Sequence, residues 1–273
     1  MKYSLFLGCK IPYYLKEYEL SARAVLSALG VSVTDISFNC CGYPIRDESF
    51  EASVLSGARN IAIALMNGTH ILTPCKCCFG NLKHVEHWLR EDKLLRKKIN
   101  ELLGREGLEW EAGTGIEHIL SVIYHDVGLE SVRKRILRPH KGLRVAAHYG
   151  CHGLRPGNIV EFDNPLAPTI FESLIEVTGA EAVEWPRRLE CCGSPLLEKN
   201  RSLSLRLMNA KLEDAEQSGA MFVCTACTYC QIQFDSVRCQ PRKDDPGCNE
   251  LPSVLYTKLL GSALGIPECN HLI

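Results

Sequence analysis

The five residues Cys40-Cys41-Gly42-Tyr43-Pro44 return, almost unchanged, as Cys191-Cys192-Gly193-Ser194-Pro195. Adjacent cysteines make a poor disulfide, because their side chains diverge and the ring between them is strained. They suit a metal cluster, since thiolates from consecutive residues reach neighbouring irons and the glycine lets the backbone turn close to a bulky inorganic core. One Cys-Cys-Gly reads as a pair of small buried side chains. Two copies with matching surroundings do not.

The surroundings do match. Tyr3–Gly8 reads as a strand leading into Cys9, a helix spans 17–29, and a second strand at 31–35 leads toward Cys40. A helix at 51–66 ends at Gly68, and the strand His70–Thr73 runs straight into Pro74-Cys75-Lys76-Cys77-Cys78. A long helix or two covers 79–103, a loop 104–115, and a helix about 116–126. After a linker near Arg138–Gly142 the plan recurs: a strand at 143–147 before Cys151, a helix at 166–178 and a strand at 181–185 before Cys191-Cys192-Gly193. A helix at 202–217 and a strand at 221–225 then lead into Cys227-Thr228-Tyr229-Cys230. Cys9 and Cys151 are 142 residues apart, Cys40 and Cys191 are 151 apart, and Cys75–Cys227 and Cys78–Cys230 are both 152 apart. This is an internal duplication. Strands alternating with helices predict an α/β fold of two pseudo-symmetric tandem domains, each a mostly parallel sheet flanked by helices. The expected spans are 1–138 and 143–273, the second ending in a tail. Cysteines at the carboxyl ends of strands stand where an open α/β sheet presents its crevice.

At 273 residues the chain is long enough for two cores, and its 46% hydrophobic and 23% charged residues are those of a soluble globular protein. A net charge of -1 announces no nucleic acid. The apolar run before Cys9 is shorter than a signal-peptide core, and no run is long enough for a transmembrane helix. Fifteen cysteines without a secretory signature point to a reducing compartment, hence a cytoplasmic protein with thiolates kept for metal.

Each half offers five thiols: Cys9, Cys40, Cys41, Cys75 and Cys78, then Cys151, Cys191, Cys192, Cys227 and Cys230. A thioredoxin-like Cys-x-x-Cys pair leaves three of them unexplained. Zinc takes four ligands and leaves the fifth idle; it remains the minority option for one half. An iron–sulfur cluster accommodates the whole set. The duplication aligns Cys224 with Leu72 and Cys77 with Tyr229, so neither is expected to ligate in a repeated site. Cys239, Cys248 and Cys269 have no partner in the first half, and Cys269-Asn270-His271 is only a weak hint of metal.

The doubled pattern Cys-(30)-Cys-Cys-Gly-(32)-Cys-x-x-Cys and Cys-(39)-Cys-Cys-Gly-(33)-Cys-x-x-Cys resembles that of the cysteine-rich CCG domain. With Tyr149-Gly150-Cys151-His152 and Gln233-Phe234-Asp235, residues 1–260 resemble the catalytic, B-type subunit of heterodisulfide reductase. The resemblance implies that each five-cysteine set holds a noncubane [4Fe–4S] cluster, the two clusters facing each other across the domain interface. It implies a disulfide substrate split reductively between them, each sulfur captured at one cluster. Electrons would arrive singly from a ferredoxin-like subunit, which a flavin-containing subunit feeds in turn. Members of the family act on the coenzyme M–coenzyme B disulfide of methanogenesis or, in sulfur oxidation, through a lipoyl carrier. Other CCG proteins are electron-transfer subunits of quinone-linked, membrane-associated oxidoreductases.

Splitting R–S–S–R′ takes two electrons and leaves two thiolates, which a pair of one-electron metal centres can stabilise. No catalytic side chain beyond the ligands is required; His148 and His152 are candidates for returning protons, and structural roles fit them equally. Lys10, Lys76, Arg155 and Lys199 lie near ligand motifs and offer compensating charge, although solvated surface cations are the plainer reading. The basic stretch 88–103 reads as an ordinary surface helix with one face on its sheet, docking or membrane contact being the other possibility.

Overall fold

The computed structural model describes residues 2–237 and 249–269. Its eight strands form two separate four-stranded sheets of identical plan. The first contains β1 (Tyr3–Leu5), β2 (Val33–Thr34), β3 (His70–Thr73) and β4 (Ile116–His118) in the order β2-β1-β3-β4. The second contains β5 (Arg144–Ala147), β6 (Glu181–Val183), β7 (Phe222–Thr225) and β8 (Ser253–Leu255) in the order β6-β5-β7-β8. Every pairing is parallel: Leu5 sits opposite Leu72 in one sheet, and Ala147 opposite Cys224 in the other. The central strands are buried along almost their whole length, as parallel strands under flanking helices must be.

The strand order fixes where the cysteines meet. From β1 the chain crosses to one edge for β2 and returns to the other side for β3, so the connections diverge between β1 and β3. That divergence opens a crevice at the carboxyl ends of those strands. Cys9 follows β1 and Cys75 follows β3; in the second sheet Cys151 follows β5 and Cys227 follows β7.

Two stretches differ from the sequence reading, and a third, expected as one helix or two, is two. The helix expected over 116–126 begins as β4, in which Ile116 and His118 are buried and Glu117 lies between them. The stretch 79–103 is two helices, Lys76–Glu91 and Lys93–Leu103, because Asp92 caps the second by accepting from the amides of Leu94 and Leu95 at 2.9 Å each. Leu89, Ile99 and Leu103 point into the core, so the basic stretch spends most of its apolar face inside the protein. The stretch expected as a tail supplies β8 and the Tyr256–Ala263 helix, with Cys269 buried against Gly261. Cys239, Cys248 and His271 lie outside the described residues.

The halves are interlocked. The Tyr256–Ala263 helix packs on the Lys16–Ala28 helix of the first half, joined by a buried hydrogen bond between the Ser21 and Thr257 hydroxyls (2.7 Å) and an ion pair between Lys258 and Glu17 (2.7 Å). In the reciprocal contact, the helical stretch that begins at Ile119 packs on the Ile170–Glu176 helix of the second half. Ser21→Ala strands the buried Thr257 hydroxyl and is expected to cost about 1–2 kcal/mol. In a urea-denaturation double-mutant cycle with Thr257→Val, the pair is expected to cost less than the sum of the singles.

Candidate metal centre

In the first half, Cys9 and Cys40 bring their sulfurs to 3.6 Å. Cys41 hydrogen-bonds to both Cys40 and Cys78, and Cys75 to Cys78, which closes a chain of five thiols. The second half repeats the chain through Cys151–Cys191, Cys191–Cys192, Cys192–Cys230 and Cys230–Cys227. The amide of Gly42 donates to the Cys40 sulfur at 3.4 Å, and that of Gly193 to the Cys191 sulfur at the same distance. Both glycines are left-handed, with φ of 92° and 88°. A Cβ on Gly42 would run into the Ser53 carbonyl, and one on Gly193 into the Ser204 carbonyl. The Cys-Cys corner therefore requires glycine twice over, for its dihedral angles and for its closeness to the next helix.

Five thiols this close cannot all ionise by themselves. Hydrogen bonding with Cys41 and Cys9 holds Cys40 down at about 3, and hydrogen bonding with Cys151 and Cys192 holds Cys191 at about 2. Cys9 is pushed far up in return by its bond with Cys40, and Cys151 by its bond with Cys191, with burial adding to both. A cation is what lets a whole set become thiolate. The donor set is soft sulfur at strand ends, with no disulfide among the described cysteines. It fits a thiolate-ligated cluster.

The two nests touch. Cys75 hydrogen-bonds to both Cys227 and Cys77. The Cys77 sulfur lies 3.4 Å from that of Cys227 and 3.5 Å from His152 Nδ1, which in turn stands 3.5 Å from the Cys151 sulfur. Cys77, to which alignment of the halves assigns no role, thus sits at the seam beside Tyr229, its counterpart. A cleft at this seam is lined by Lys76, Cys77, His152, Cys191, Cys192 and Tyr229. The Tyr43 ring stands edge-on to two of the cleft's lining residues, His152 (4.6 Å) and Tyr229 (5.5 Å). Cys224 is fully buried on β7.

Four polar residues surround the nests: Lys211 and His118 escape the sequence reading, Lys76 contradicts it, and His148 is among its candidates. Lys76, expected as a surface cation, is buried. Its ammonium lies 4.4 Å from the Phe171 ring centroid and 5.0 Å from that of Tyr149. Lys211 is likewise buried, over the Trp185 ring at 4.3 Å and bonded to the Arg187 carbonyl. Burial pushes both lysines down to about 8. His118 is held neutral by burial, at about 3. Its Nδ1 accepts from the Leu120 amide, so Nε2–H donates to the carbonyls of Pro74 and Ala226 at 3.1 Å each. One imidazole thereby ties together the residues that precede Cys75 and Cys227. His148, also buried, places Nε2 3.2 Å from the Cys230 sulfur, while Nδ1 has no hydrogen-bond partner. Its ligand atom and those of Cys192 and Cys230 lie within 4.8 Å of one another. A signal is present in the sequence for three of them: at offsets of 152, 142 and 151, Lys76, His148 and Lys211 fall on Thr228, Phe6 and Asn60, where the halves differ. By contrast Lys10 lies over the Tyr229 ring (4.8 Å), Arg155 is exposed, and Lys199 pairs with Asp47 at 2.6 Å across the halves.

The cysteine-rich CCG domain family matches twice, over residues 3–83 and 145–235. A protein of Archaeoglobus profundus, named as similar to the B-type subunit of heterodisulfide reductase, is 30% identical over 98% of this chain and 92% of its own. The B-type subunit of the ferredoxin/F420H2-dependent CoB-CoM heterodisulfide reductase of Methanosarcina acetivorans is 30% identical over 97% of this chain and 89% of its own. The 8-methylmenaquinol:fumarate reductase membrane anchor subunit of Wolinella succinogenes is 28% identical, covering 97% and 93%. Among solved structures, a hypothetical protein from Helicobacter pylori shares the fold, with a TM-score of 0.77 at 16% identity. That alignment covers 98% of this chain, which spans half the length of the solved one.

Gly42→Ala and Gly30→Ala separate the two demands on glycine. Gly30 is left-handed (φ 79°) with open space around it, so its replacement is expected to cost only about 1–2 kcal/mol. Gly42→Ala must also displace the Ser53 backbone, and is expected to lower the thermal midpoint further and to reduce bound metal.

Proposed function

The chain belongs to the cysteine-rich CCG family, in two copies, and from that premise we propose that it is the disulfide-handling subunit of a heterodisulfide-reductase-like complex. The two halves, 1–138 and 143–273, each act as a cluster-holding domain. Cys9, Cys40, Cys41, Cys75 and Cys78 hold one noncubane [4Fe–4S] cluster; Cys151, Cys191, Cys192, Cys227 and Cys230 hold the other. When bound, such clusters supply one-electron centres whose iron has affinity for sulfur. The observation that carries this reading is the seam: Cys77 and Cys227 are in sulfur contact at 3.4 Å and Cys75 is hydrogen-bonded to Cys227, which brings the two cysteine sets together beside a cleft lined by Cys151, Cys191, Cys192, Cys227 and Cys230.

The chain's own residues then have definable tasks. Tyr229, on the cleft wall and backed by the Tyr43 ring at 5.5 Å, keeps water from that side, which strengthens the electrostatic interactions inside. Lys76, on the cleft wall, offsets the negative charge of the sulfur nests and of the two thiolates that cleavage leaves. His152 Nδ1, 3.5 Å from both the Cys151 and the Cys77 sulfur, can return a proton to a product thiolate. The electrons come from a ferredoxin-like subunit, itself served by a flavin-containing one. The disulfide is a free coenzyme pair or one held on a lipoyl carrier.

The relatedness to the fumarate reductase anchor subunit favours a second reading, electron transfer to a quinone at a membrane. No described helix is long and apolar enough to cross a bilayer, so such a role would rest on a surface contact.

The test is anaerobic purification with iron, labile-sulfide and zinc analysis, followed by disulfide reduction with a reduced viologen as donor. Iron and sulfide in both halves are expected, with activity abolished in Cys41→Ala and in Cys192→Ala and retained in Cys224→Ala. Zinc without iron, or full activity in either nest variant, would overturn the proposal. Quinol oxidation without disulfide reduction would establish the second reading in its place.

A further inference from the structure

We propose that His148 and Lys211 make the two centres electronically unequal, holding the reduction potential of the second-half centre above that of the first. This rests on reading the nests as iron–sulfur centres and adds an order to them.

The duplication supplies an internal control. The amide of Phe6 donates to the Leu72 carbonyl at 2.8 Å, and the amide of His148 donates to the Cys224 carbonyl at 2.9 Å, so Phe6 and His148 occupy the same position in the two sheets. Phe6 packs on the Phe38 ring and offers nothing polar. His148 brings Nε2 to 3.2 Å from the Cys230 sulfur. A neutral imidazole has one N–H, and a thiolate only accepts, so with Cys230 ionised the proton belongs on Nε2. The cost is a buried Nδ1 without a donor. Such a cost is tolerated where the N–H···S bond serves the site.

The second difference follows the same logic. The matching approach of Gly42 to Ser53 and of Gly193 to Ser204 aligns Asn60 with Lys211. Asn60 spends its neutral amide on the Cys40 carbonyl (2.9 Å) and the Asn39 amide (2.8 Å). Lys211 instead buries an ammonium near Cys192, Cys230 and Cys191. Lys76, whose counterpart is the uncharged Thr228, also leans into the second half, with its ammonium 3.5 Å from the His148 carbonyl. The nearby carboxylates are partnered: Glu172 with Arg188 at 3.2 Å, and Glu190 with Arg187 at 2.8 Å.

Reduction adds one negative charge to a centre. A hydrogen bond to a ligand sulfur and a cation in low dielectric both stabilise that charge and raise the potential. Water at the exposed Cys9 acts in the same sense on the first centre, at one ligand and through a high dielectric. The donor and the buried cations therefore dominate, and electrons collect on the second half.

The test is an EPR-monitored redox titration of the anaerobically purified full chain after iron and sulfide analysis, the steps being assigned with Cys41→Ala, which keeps the second centre alone. His148→Phe installs the first half's own residue. It is expected to shift the second centre's reduction equilibrium about tenfold toward the oxidised form, about 59 mV more negative for a one-electron couple, with the first unmoved. His148→Gln, which keeps an N–H, is expected to restore most of the shift. Lys211→Met is expected to shift the second centre in the same direction, and it carries the test if His148→Phe does not fold. With both centres loaded, an unchanged or raised second potential in these variants overturns the inference, as does a native first centre that reduces first. A native chain without iron fails the underlying reading itself, which keeps the two failures apart.

Discussion

Crowding of sulfur is the constraint on which this structure depends. Ten thiols are gathered at the carboxyl ends of two small sheets, close enough that within each nest only a minority can be ionised at once. Left alone, they would be held together by weak S–H hydrogen bonds while offering the core less than apolar side chains would. The backbone nevertheless goes to some trouble to aim them. Both Cys-Cys corners turn through left-handed glycines pressed against the next helix, and both first sulfurs accept an amide from that glycine. A fold that fixes so many soft acceptors so closely is arranged around a positively charged guest.

The interlocking of the halves follows from the same demand. A nest at the end of one short sheet would stand open to water on its far side. Swapping terminal helices, so that Tyr256–Ala263 covers the first half and the stretch from Ile119 covers the second, presses the two crevices face to face. His118 then spans the seam, donating to carbonyls just ahead of Cys75 and Cys227. Each half supplies part of the other's wall.

Much of this is legible in the sequence, and the part that is not has a physical explanation. Cysteine spacing survives duplication because ligands tolerate little displacement, so the offsets of Cys75–Cys227 and Cys78–Cys230 announce both the repeat and the site. The strands β1, β3, β5 and β7 are legible because buried parallel strands are continuous apolar runs ending at glycine or cysteine. β4 and β8 are not: each runs without a break into a helix, and Ile116-Glu117-His118 carries a buried histidine where a strand signal wants an aliphatic. Lys76 misleads because lysine is so seldom buried that its type outweighs its position. His118 and Lys211 repeat with no period, so hydrophobic patterning passes over them, whereas His148 is found through its nearness to Cys151.

The differences between the copies speak to chemistry more than the likenesses do. A lysine brought fully out of water loses several kcal/mol of hydration, and it remains charged only beside a compensating negative group. Lys76 and Lys211 lie on aromatic rings and backbone carbonyls, partners too weak to justify keeping a charge there by themselves. Two buried cations on one side of a doubled sulfur site favour gathering negative charge on that side, and under the proposal above these two lysines, with the imidazole of His148, order the two halves as acceptors of electrons.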